Sequence, residues 1–171
     1  MADGARRERE WVRAAQAGSG AGIEALFRAH WPKAHRAAYL VVHDAAAAED
    51  IAQEAFLAAI RRLEQFDRRR PFGPWLHRIV VNRAIDWARA RQLRQEAELD
   101  DEPGEDTTGE LSDETLAALA ELTPEHRGVI VLRYLLGYTP GEISELLDLP
   151  RGTVNSRLRR GLDTMKERIQ L

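Results

Sequence analysis

Apolar residues recur every three to four positions along most of this chain, which is the spacing of one face of an α-helix. After Asp44, for example, a single helical stripe would contain Phe56, Ala59, Ile60 and Leu63. No segment shows the sustained alternation of apolar and polar residues, rich in β-branched and aromatic side chains, that predicts a β-strand. The pattern therefore predicts an all-α protein.

The first half of the chain is predicted to form four helices, at about Ala5 to Ala17, Gly22 to Val42, Asp44 to Gln65 and Pro74 to Leu93. Asp44 is expected to cap the third helix. A bend is expected at Pro32 in the second helix. The side chains expected to face inward from the second helix are Ile23, Leu26, Phe27 and Leu40, and from the fourth Leu76, Ile79, Val80 and Trp87. Residues 1–93 are thus predicted to be one small helical domain.

Residues 94–111 differ in composition from the helices on either side. They contain Pro103, two glycines, two threonines and most of an acidic run, with almost nothing apolar to bury. Between Glu96 and Asp113 there are nine acids and no bases. Such a segment is typical of a flexible, self-repelling linker, which at about 18 residues reaches about 60 Å when fully extended.

The second half, residues 112–171, is predicted to be a second helical domain. Its helices are expected at about Ser112 to Leu122, Pro124 to Leu136, Thr139 to Leu147 and Arg151 to Ile169. Thr123 and Thr139 each precede a proline, which suits the first position of a helix. Glu142 follows Thr139 by three residues, the spacing of a capping box.

The last two helices have the spacing of a helix-turn-helix, because a short capped helix, a tight turn and a longer helix follow one another. The apolar positions expected to lock them together are Ile143, Leu146, Val154 and Leu158. The exposed start of the second helix offers side chains that can bond to base edges or phosphates, namely Asn155, Ser156, Arg159 and Arg160. A helical hairpin used for protein contact is the alternative interpretation.

Charge is unevenly distributed, although the net charge is only -3. Outside the acidic run, 25 bases face 19 acids. From Arg61 to Arg94 there are ten arginines and three acids, and from Arg151 to Arg160 four arginines and no acid. Two separated basic patches fit a polyanion that is contacted at two places. The alternative is that these arginines only solvate helix faces.

Composition also excludes several classes of site. There are no cysteines, so disulfides, thiolate metal sites and cysteine nucleophiles are absent. The five histidines lack metal-ligand spacing. An enzyme would need a nucleophile beside a base or a carboxylate cluster near a basic patch, yet Asp86 stands alone and Ser156 has no neighbouring base. We therefore expect no cofactor and no catalytic residue. The charged N-terminus and the lack of an apolar run of about 20 residues predict a cytoplasmic protein.

Three motifs, in order, resemble the extracytoplasmic-function (ECF) group of bacterial sigma factors in the sigma-70 family. Residues 142–157, EISELLDLPRGTVNSR, resemble the promoter-reading C-terminal domain. Residues 48–57, AEDIAQEAFL, resemble the polymerase-binding helix, and residues 75–87, WLHRIVVNRAIDW, resemble the downstream promoter helix. The resemblance covers about residues 22–92 and 122–169. It implies that the chain directs core RNA polymerase to promoters.

The resemblance implies roles for particular residues. The face that would grip the beta-prime clamp of the polymerase consists of Asp50, Gln53 and Glu54. The residues that would contact the downstream promoter box, which melts, are Arg69, Arg70, Arg78, Asn82, Arg83 and Arg89. The residues that would read the duplex upstream box are Arg151, Thr153, Asn155, Ser156, Arg159 and Arg160. By the same resemblance the polymerase's beta flap holds the second domain, and the turn from Asp67 to Gly73 accepts a base flipped out of the stack.

Some points stay open at the level of sequence. Phe66, Phe72 and Trp75 could stack on bases or belong to the core. Asp86 is expected to orient Arg83 or Arg89 rather than to meet DNA. The acidic run could lie in a basic polymerase channel or be a solvated spacer, and the Asp50 face could be a solvated acidic face.

A further partner and an alternative function follow from the same reasoning. The resemblance implies an anti-sigma factor, often membrane-anchored, which would hold the chain at the membrane. A helix-turn-helix regulator that binds an operator without polymerase is the rival reading. The chain also departs from the family at three positions, with Asp148 in the turn where glycine is usual, Pro150 in place of a polar N-cap, and Asn155 where a cation is frequent.

Overall fold

The computed structural model describes residues 2–97 and 111–169. Those residues form helices and connecting turns, with no β-strand among them, so the all-α prediction is confirmed. The helices are α1 (Ala2–Gln16), α2 (Gly20–Val42), α3 (Ala45–Arg61), α4 (Phe72–Ala97), α5 (Asp113–Ala120), α6 (Pro124–Ile130), α7 (Pro140–Leu147) and α8 (Arg151–Ile169). A 3-10 turn, Leu63–Gln65, follows α3, and a π-helical turn, Val131–Leu135, extends α6.

Helix starts with a capping residue identified in the sequence were predicted to within one residue, because capping is local, whereas α1, α2 and α4 each begin two or three residues earlier than predicted. The Asp44 carboxylate accepts a hydrogen bond from the backbone N–H of Ala47, which makes Asp44 the N-cap of α3. Thr139 and Glu142 form the full capping box at α7, with each side chain bonded to the other's backbone N–H. Each side chain satisfies an N–H group that the first helical turn leaves without a partner.

Helices α1, α3 and α4 pack around α2, and the second half of α2 is buried on almost every side. The core between them is lined by Leu26, Leu40, Phe56, Leu76 and Val80. The prediction that Phe27 faces the core was wrong. Its side chain is 39% exposed, and its ring stacks on Trp31 at the surface of α2. Position 27 lies next to the buried Leu26 in sequence, but one residue is 100° around a helix, which turns the ring toward the edge of the core.

Helix α4 is longer than predicted. It begins at Phe72 and continues to Ala97, four residues beyond the expected end at Leu93. Residues 94–97 of the predicted linker are therefore helical. The rest of the acidic run, residues 98–110, lies outside the described residues.

The helix-turn-helix forms as its capping signals predict. Ile143 and Val154 are fully buried where α7 and α8 meet, with Leu146 and Leu158 beside them. The turn passes through Asp148 with φ 52 and ψ 51, a left-handed conformation. The Ser144 carbonyl accepts hydrogen bonds from the N–H groups of Asp148 and Leu149, which closes the end of α7.

The left-handed conformation of Asp148 yields a stability prediction. Asp148→Val is expected to destabilise the protein by about 1–2 kcal/mol, because a β-branched side chain is strained at positive φ. Asp148→Gly, which has no such strain, is the matched control and should be at least as stable as the parent. Urea unfolding followed by circular dichroism measures both. Equal stability of the valine and glycine variants would show that the turn carries no strain.

The two halves pack on each other, with α4 against α6 and α7 and α2 against α6. The approach of α6 to α4 is close, since a Cβ atom at Gly128 would lie 2.6 Å from Cδ1 of Ile85. Nothing in the amino-acid pattern predicted this contact. It creates a cleft with Arg70 and Arg78 of the predicted downstream-box set on one side, and Tyr138 and the α7 residues Glu142, Glu145 and Leu146 on the other.

Candidate nucleic-acid and polymerase interfaces

The start of α8 presents a cationic face. Arg151, Asn155, Arg159 and Arg160 are exposed, and Thr153 and Ser156 are half-buried beside them. Among the residues that the structure describes, no carboxylate lies within ion-pair distance of Arg159 or Arg160. Val154 and Leu158 anchor the opposite face in the core. The six predicted upstream-box residues therefore share the first three turns of one helix, a shape that a major groove admits.

The second candidate surface is a cleft of about 690 Å³ between the two halves, called the interdomain cleft below. One wall carries the rings of Phe66 and Trp75, which stack at 4.7 Å between centroids with 29° between planes. The arginines on that side are Arg62, Arg70 and Arg78. An aromatic wall with cations around it can hold an unstacked base and its phosphates.

The aromatic residues divide between the two roles that the sequence left open. Phe72 is 1% exposed and packs edge-on against Phe66 and Trp75, so it belongs to the core. Phe66 and Trp75 are half-buried and line the interdomain cleft. Only these two of the three rings can present a face to a base.

Asp67 orders the loop that leads into α4. The Asp67 carboxylate accepts hydrogen bonds from the backbone N–H and the guanidinium of Arg69, at 3.0 Å in each case. This bond to Arg69 holds the pKa of Asp67 below its usual value. Asp67 O also accepts from the Arg70 N–H, which closes a tight turn. Arg69 is thus engaged by Asp67 here, whereas Arg70 lines the interdomain cleft.

The predicted downstream-box face of α4 is only partly free. Arg78 and Arg83 are exposed and Asn82 is half-buried. The Arg89 guanidinium donates to the Glu125 carboxylate of α6, so its partner is not the neighbouring Asp86 that the sequence suggested. The reason is the packing of α6 on α4, which places an acid from 36 residues away directly against Arg89.

The predicted polymerase face lies on α3, away from the cleft. Asp50, Gln53 and Glu54 are all exposed, and Gln53 donates a hydrogen bond to Glu49. Exposed Leu57 continues the same face one turn further along α3. Phe27, which packs against Phe56, adds an exposed ring on neighbouring α2, so the polar face has an apolar flank. This flank was not predicted from the sequence, because helical spacing placed Phe27 in the core.

A further contact across the halves was also missed. His77 Nδ1 of α4 and the Tyr138 hydroxyl form a hydrogen bond of 2.6 Å. His77 is buried, and its Nε2 has no hydrogen-bond partner in the described part of the chain. Burial lowers the pKa of His77 to about 4, helped by the nearby His30 and Lys33, and burial raises the pKa of Tyr138. Burial therefore favours the neutral imidazole.

Two family models match this chain, one in each half. The model described as Sigma-70 region 2 matches residues 26–94. The model described as Sigma-70, region 4 matches residues 112–165.

Curated relatives match across both halves. The ECF RNA polymerase sigma factor SigW of Bacillus subtilis is 32% identical over 81% of this chain and 83% of its own length. SigM and SigL of Mycobacterium tuberculosis, both also named ECF RNA polymerase sigma factors, are 34% identical over 92% and 33% identical over 93% of this chain. These alignments cover 83% of SigM and 95% of SigL.

Solved structures share the arrangement of helices. CnrH, in complex with the cytosolic domain of CnrY, is 25% identical with a TM-score of 0.72, over 95% of this chain and 97% of CnrH. The sigma factor RpoE of Bartonella quintana, in complex with the anti-sigma factor NepR, has a TM-score of 0.73 at 19% identity, over 86% of this chain and 96% of RpoE. Among the described residues, no helix is both long and apolar enough to span a bilayer.

Proposed function

This chain belongs to the ECF sigma factors of the sigma-70 family, and we propose how its surfaces divide the work of directing RNA polymerase to promoters. Residues 1–93 bind core polymerase and the downstream box, the linker begins after the end of α4 at Ala97, and residues 112–171 bind the upstream box. The observation that carries this division is the presence of two separate cationic surfaces, one in each matched region. Sigma factors are regulatory subunits, so the chain contributes binding and the polymerase contributes the chemistry. Its place is with core polymerase in the cytoplasm.

At the upstream box, α8 enters the major groove. The exposed Arg159 and Arg160 have no carboxylate in ion-pair distance among the described residues, so their donors are available to base edges and phosphates. Asn155 can bond to a base edge through both its amide atoms. The α5 to α8 domain also contacts the beta flap, which holds it over the upstream DNA.

At the downstream box, α4 and its preceding loop capture the melted strand. Taking a base out of the stack costs a few kcal/mol, which stacking and nearby cations must offset. The stacked Phe66 and Trp75 supply the apolar wall, and Arg70 and Arg78 supply positive charge at the same cleft. Asn82, Arg83 and Arg89 continue this surface along α4.

On the polymerase side, the exposed face of Asp50, Gln53 and Glu54 binds the beta-prime clamp. Its position on α3, remote from the interdomain cleft, allows polymerase and DNA to be bound at the same time. The apolar flank of Phe27 and Leu57 gives this polar face the large side chains that protein interfaces use as anchors.

Promoter binding requires the two halves to separate. The two boxes lie about two helical turns apart, each about 34 Å, whereas here the α7 residues line the same cleft as α4. Arg89 must also leave Glu125 to reach DNA. The solved complexes of CnrH with CnrY and of RpoE with NepR lead us to propose an anti-sigma partner that binds the closed arrangement.

The closed arrangement should weaken in acid. His77, surrounded by Glu8, His30, Lys33 and Tyr138, has a pKa lowered to about 4 from its ordinary 6.5. A lowered pKa means that the contact is fully present above about pH 6.5 and is lost progressively as the pH falls toward 4. If opening returns the ring to water, the closed arrangement is expected to be about tenfold less favoured at about pH 5.5 than at about pH 7.5.

Energy transfer between two dyes measures this opening. Because the chain has no cysteine, dyes can be attached at Glu24→Cys on α2 and Glu167→Cys on α8, both exposed. His77→Leu fills the buried position with an apolar side chain and removes the titrating group. The energy transfer of this variant should therefore change little between these pH values. The same pH response in His77→Leu would show that another group causes it.

In vitro transcription from a promoter library tests the function as a whole. Core polymerase with this protein is expected to start at defined sites that core polymerase alone does not use. Absence of stimulation, together with tight operator-like DNA binding by the protein alone, would instead indicate the independent regulator.

A further inference from the structure

Helix α1 holds both ends of the loop between Phe66 and Phe72, which carries Arg69 and Arg70 of the predicted downstream-box residues. At the near end, Gln16 Nε2 donates hydrogen bonds to the carbonyl oxygens of Leu63 at 2.8 Å and of Phe66 at 3.0 Å. At the far end, Glu8 Oε2 accepts a hydrogen bond of 3.2 Å from the backbone N–H of Phe72. Glu8 and Gln16 lie eight residues apart, about 12 Å along one face of α1.

Neither anchor is needed to pack α1 itself. That packing comes from the buried Val12 and Ala15 and from Gly22 of α2, where a Cβ atom would lie 2.7 Å from the Ala15 backbone nitrogen. Glu8 and Gln16 instead form hydrogen bonds to the loop, and Glu8 also bonds to His30 beside it. Burying half of a carboxylate costs free energy unless the carboxylate is hydrogen-bonded, so the hydrogen-bond partners of Glu8 determine its position.

The other carboxylate oxygen of Glu8, Oε1, connects Glu8 to His30 of α2. Glu8 Oε1 lies 2.7 Å from His30 Nε2, and the His30 ring packs 5.2 Å from the Phe72 ring. This hydrogen bond from His30 lowers the pKa of Glu8, which keeps the carboxylate ionised. The start of α4 is thus held by one ionised side chain that accepts from two groups.

We propose that α1 is a clamp that preorganises the loop between Phe66 and Phe72 for capture of the melted downstream box, with Glu8 and Gln16 as positioning residues. The proposal rests on the function proposed above for the interdomain cleft. Helix α1 lies outside the matched Sigma-70 region 2, which begins at residue 26. None of the three sequence motifs lies on α1.

The physical reason is the cost of ordering a loop at the moment of binding. Fixing a loop's backbone costs conformational entropy, and a loop already fixed in the free protein does not incur that cost when DNA arrives. Gln16 bonds to the carbonyl of Phe66 itself, whose ring stacks on Trp75 in the cleft. Losing that bond frees one of the two rings that would receive a base.

The test uses holoenzyme assembled from core polymerase and each variant. The variants are Gln16→Leu and Glu8→Leu, with Glu8→Gln as the conservative change that keeps an oxygen acceptor for the Phe72 N–H. Arg9→Ala is the matched control, because Arg9 is on the same helix and, within the described residues, bonds only to the Ala5 carbonyl one turn earlier. The probes are a promoter fragment with a premelted downstream box and a duplex fragment with the upstream box alone.

We expect Gln16→Leu and Glu8→Leu to bind the premelted fragment about 5- to 30-fold more weakly, which corresponds to about 1–2 kcal/mol. Binding of core polymerase and of the upstream duplex should be unchanged, and Glu8→Gln should recover part of the loss. Unchanged affinity for the premelted fragment, or an equal fall in all three affinities, would overturn the clamp. A protein that never stimulates core polymerase would instead contradict the proposed function, so the two failures are distinguishable.

Discussion

Replacing Asp50 and Gln53 together with alanine is expected to lower promoter-dependent transcription on the order of 100-fold when the protein is limiting. Both side chains are exposed on one face of α3, and the fold does not depend on them. Hydrogen bonds to charged groups contribute about 1.5–3 kcal/mol each, and polar anchors at an interface centre dominate its affinity. Losing both should therefore raise the dissociation constant for core polymerase by at least two powers of ten.

Fluorescence anisotropy with labelled core polymerase measures this affinity directly. Glu10→Ala removes the same charge from an exposed site on α1 and is the matched control. Alanine is favourable at exposed helix positions, so circular dichroism should show intact helices in both variants. An affinity equal to that of the control would mean that the face around Asp50 is only a solvated acidic surface.

Replacing Arg159 and Arg160 with alanine is expected to weaken binding of the upstream-box duplex by holoenzyme on the order of 100-fold. Each cation that contacts a base edge or a phosphate contributes about 1–3 kcal/mol. The exposed position of both side chains on α8 means that stability should change little. Core polymerase affinity should also be unchanged.

The salt dependence of binding separates the two kinds of contact. If both arginines contact phosphates, the slope of log affinity against log salt should fall by about two units, whereas base contacts leave the slope nearly unchanged and relax sequence preference. Lys166→Ala with Arg168→Ala removes the same charge from the far end of α8, where both side chains are exposed. An equal loss in that control would mean that net charge, rather than the start of α8, binds the upstream box.

Much of the fold was predictable because its signals are local. The capping box at Thr139, the N-cap at Asp44 and the helical spacing of apolar residues act within one or two turns, so they can be read along the chain. The left-handed turn at Asp148 was also predictable, since aspartate tolerates that conformation better than most residues. The motifs at residues 48–57, 75–87 and 142–157 led to the sigma-factor family, which the family models and relatives confirm.

The candidate sites were predictable only as sets of residues. Their membership came from motif positions, and the roles of individual residues stay predictions. The sequence could not decide which aromatic ring would be core, because Phe66 and Phe72 both lie between two predicted helices, where no helical spacing assigns an inward face. Packing decided it by burying Phe72 against His30 and leaving Phe66 on Trp75 at the cleft.

The amino-acid sequence by itself determined the helices, their caps, the helix-turn-helix and the family. Only the tertiary structure decided that Arg89 pairs with Glu125, that His77 bonds to Tyr138 and that α1 holds the loop before α4. These contacts join residues 36, 61 and 47 to 64 positions apart, so no periodicity or local motif marks them. They form because burial brings distant polar groups together, and a buried polar group must then find its hydrogen-bond partner wherever in the chain that partner lies.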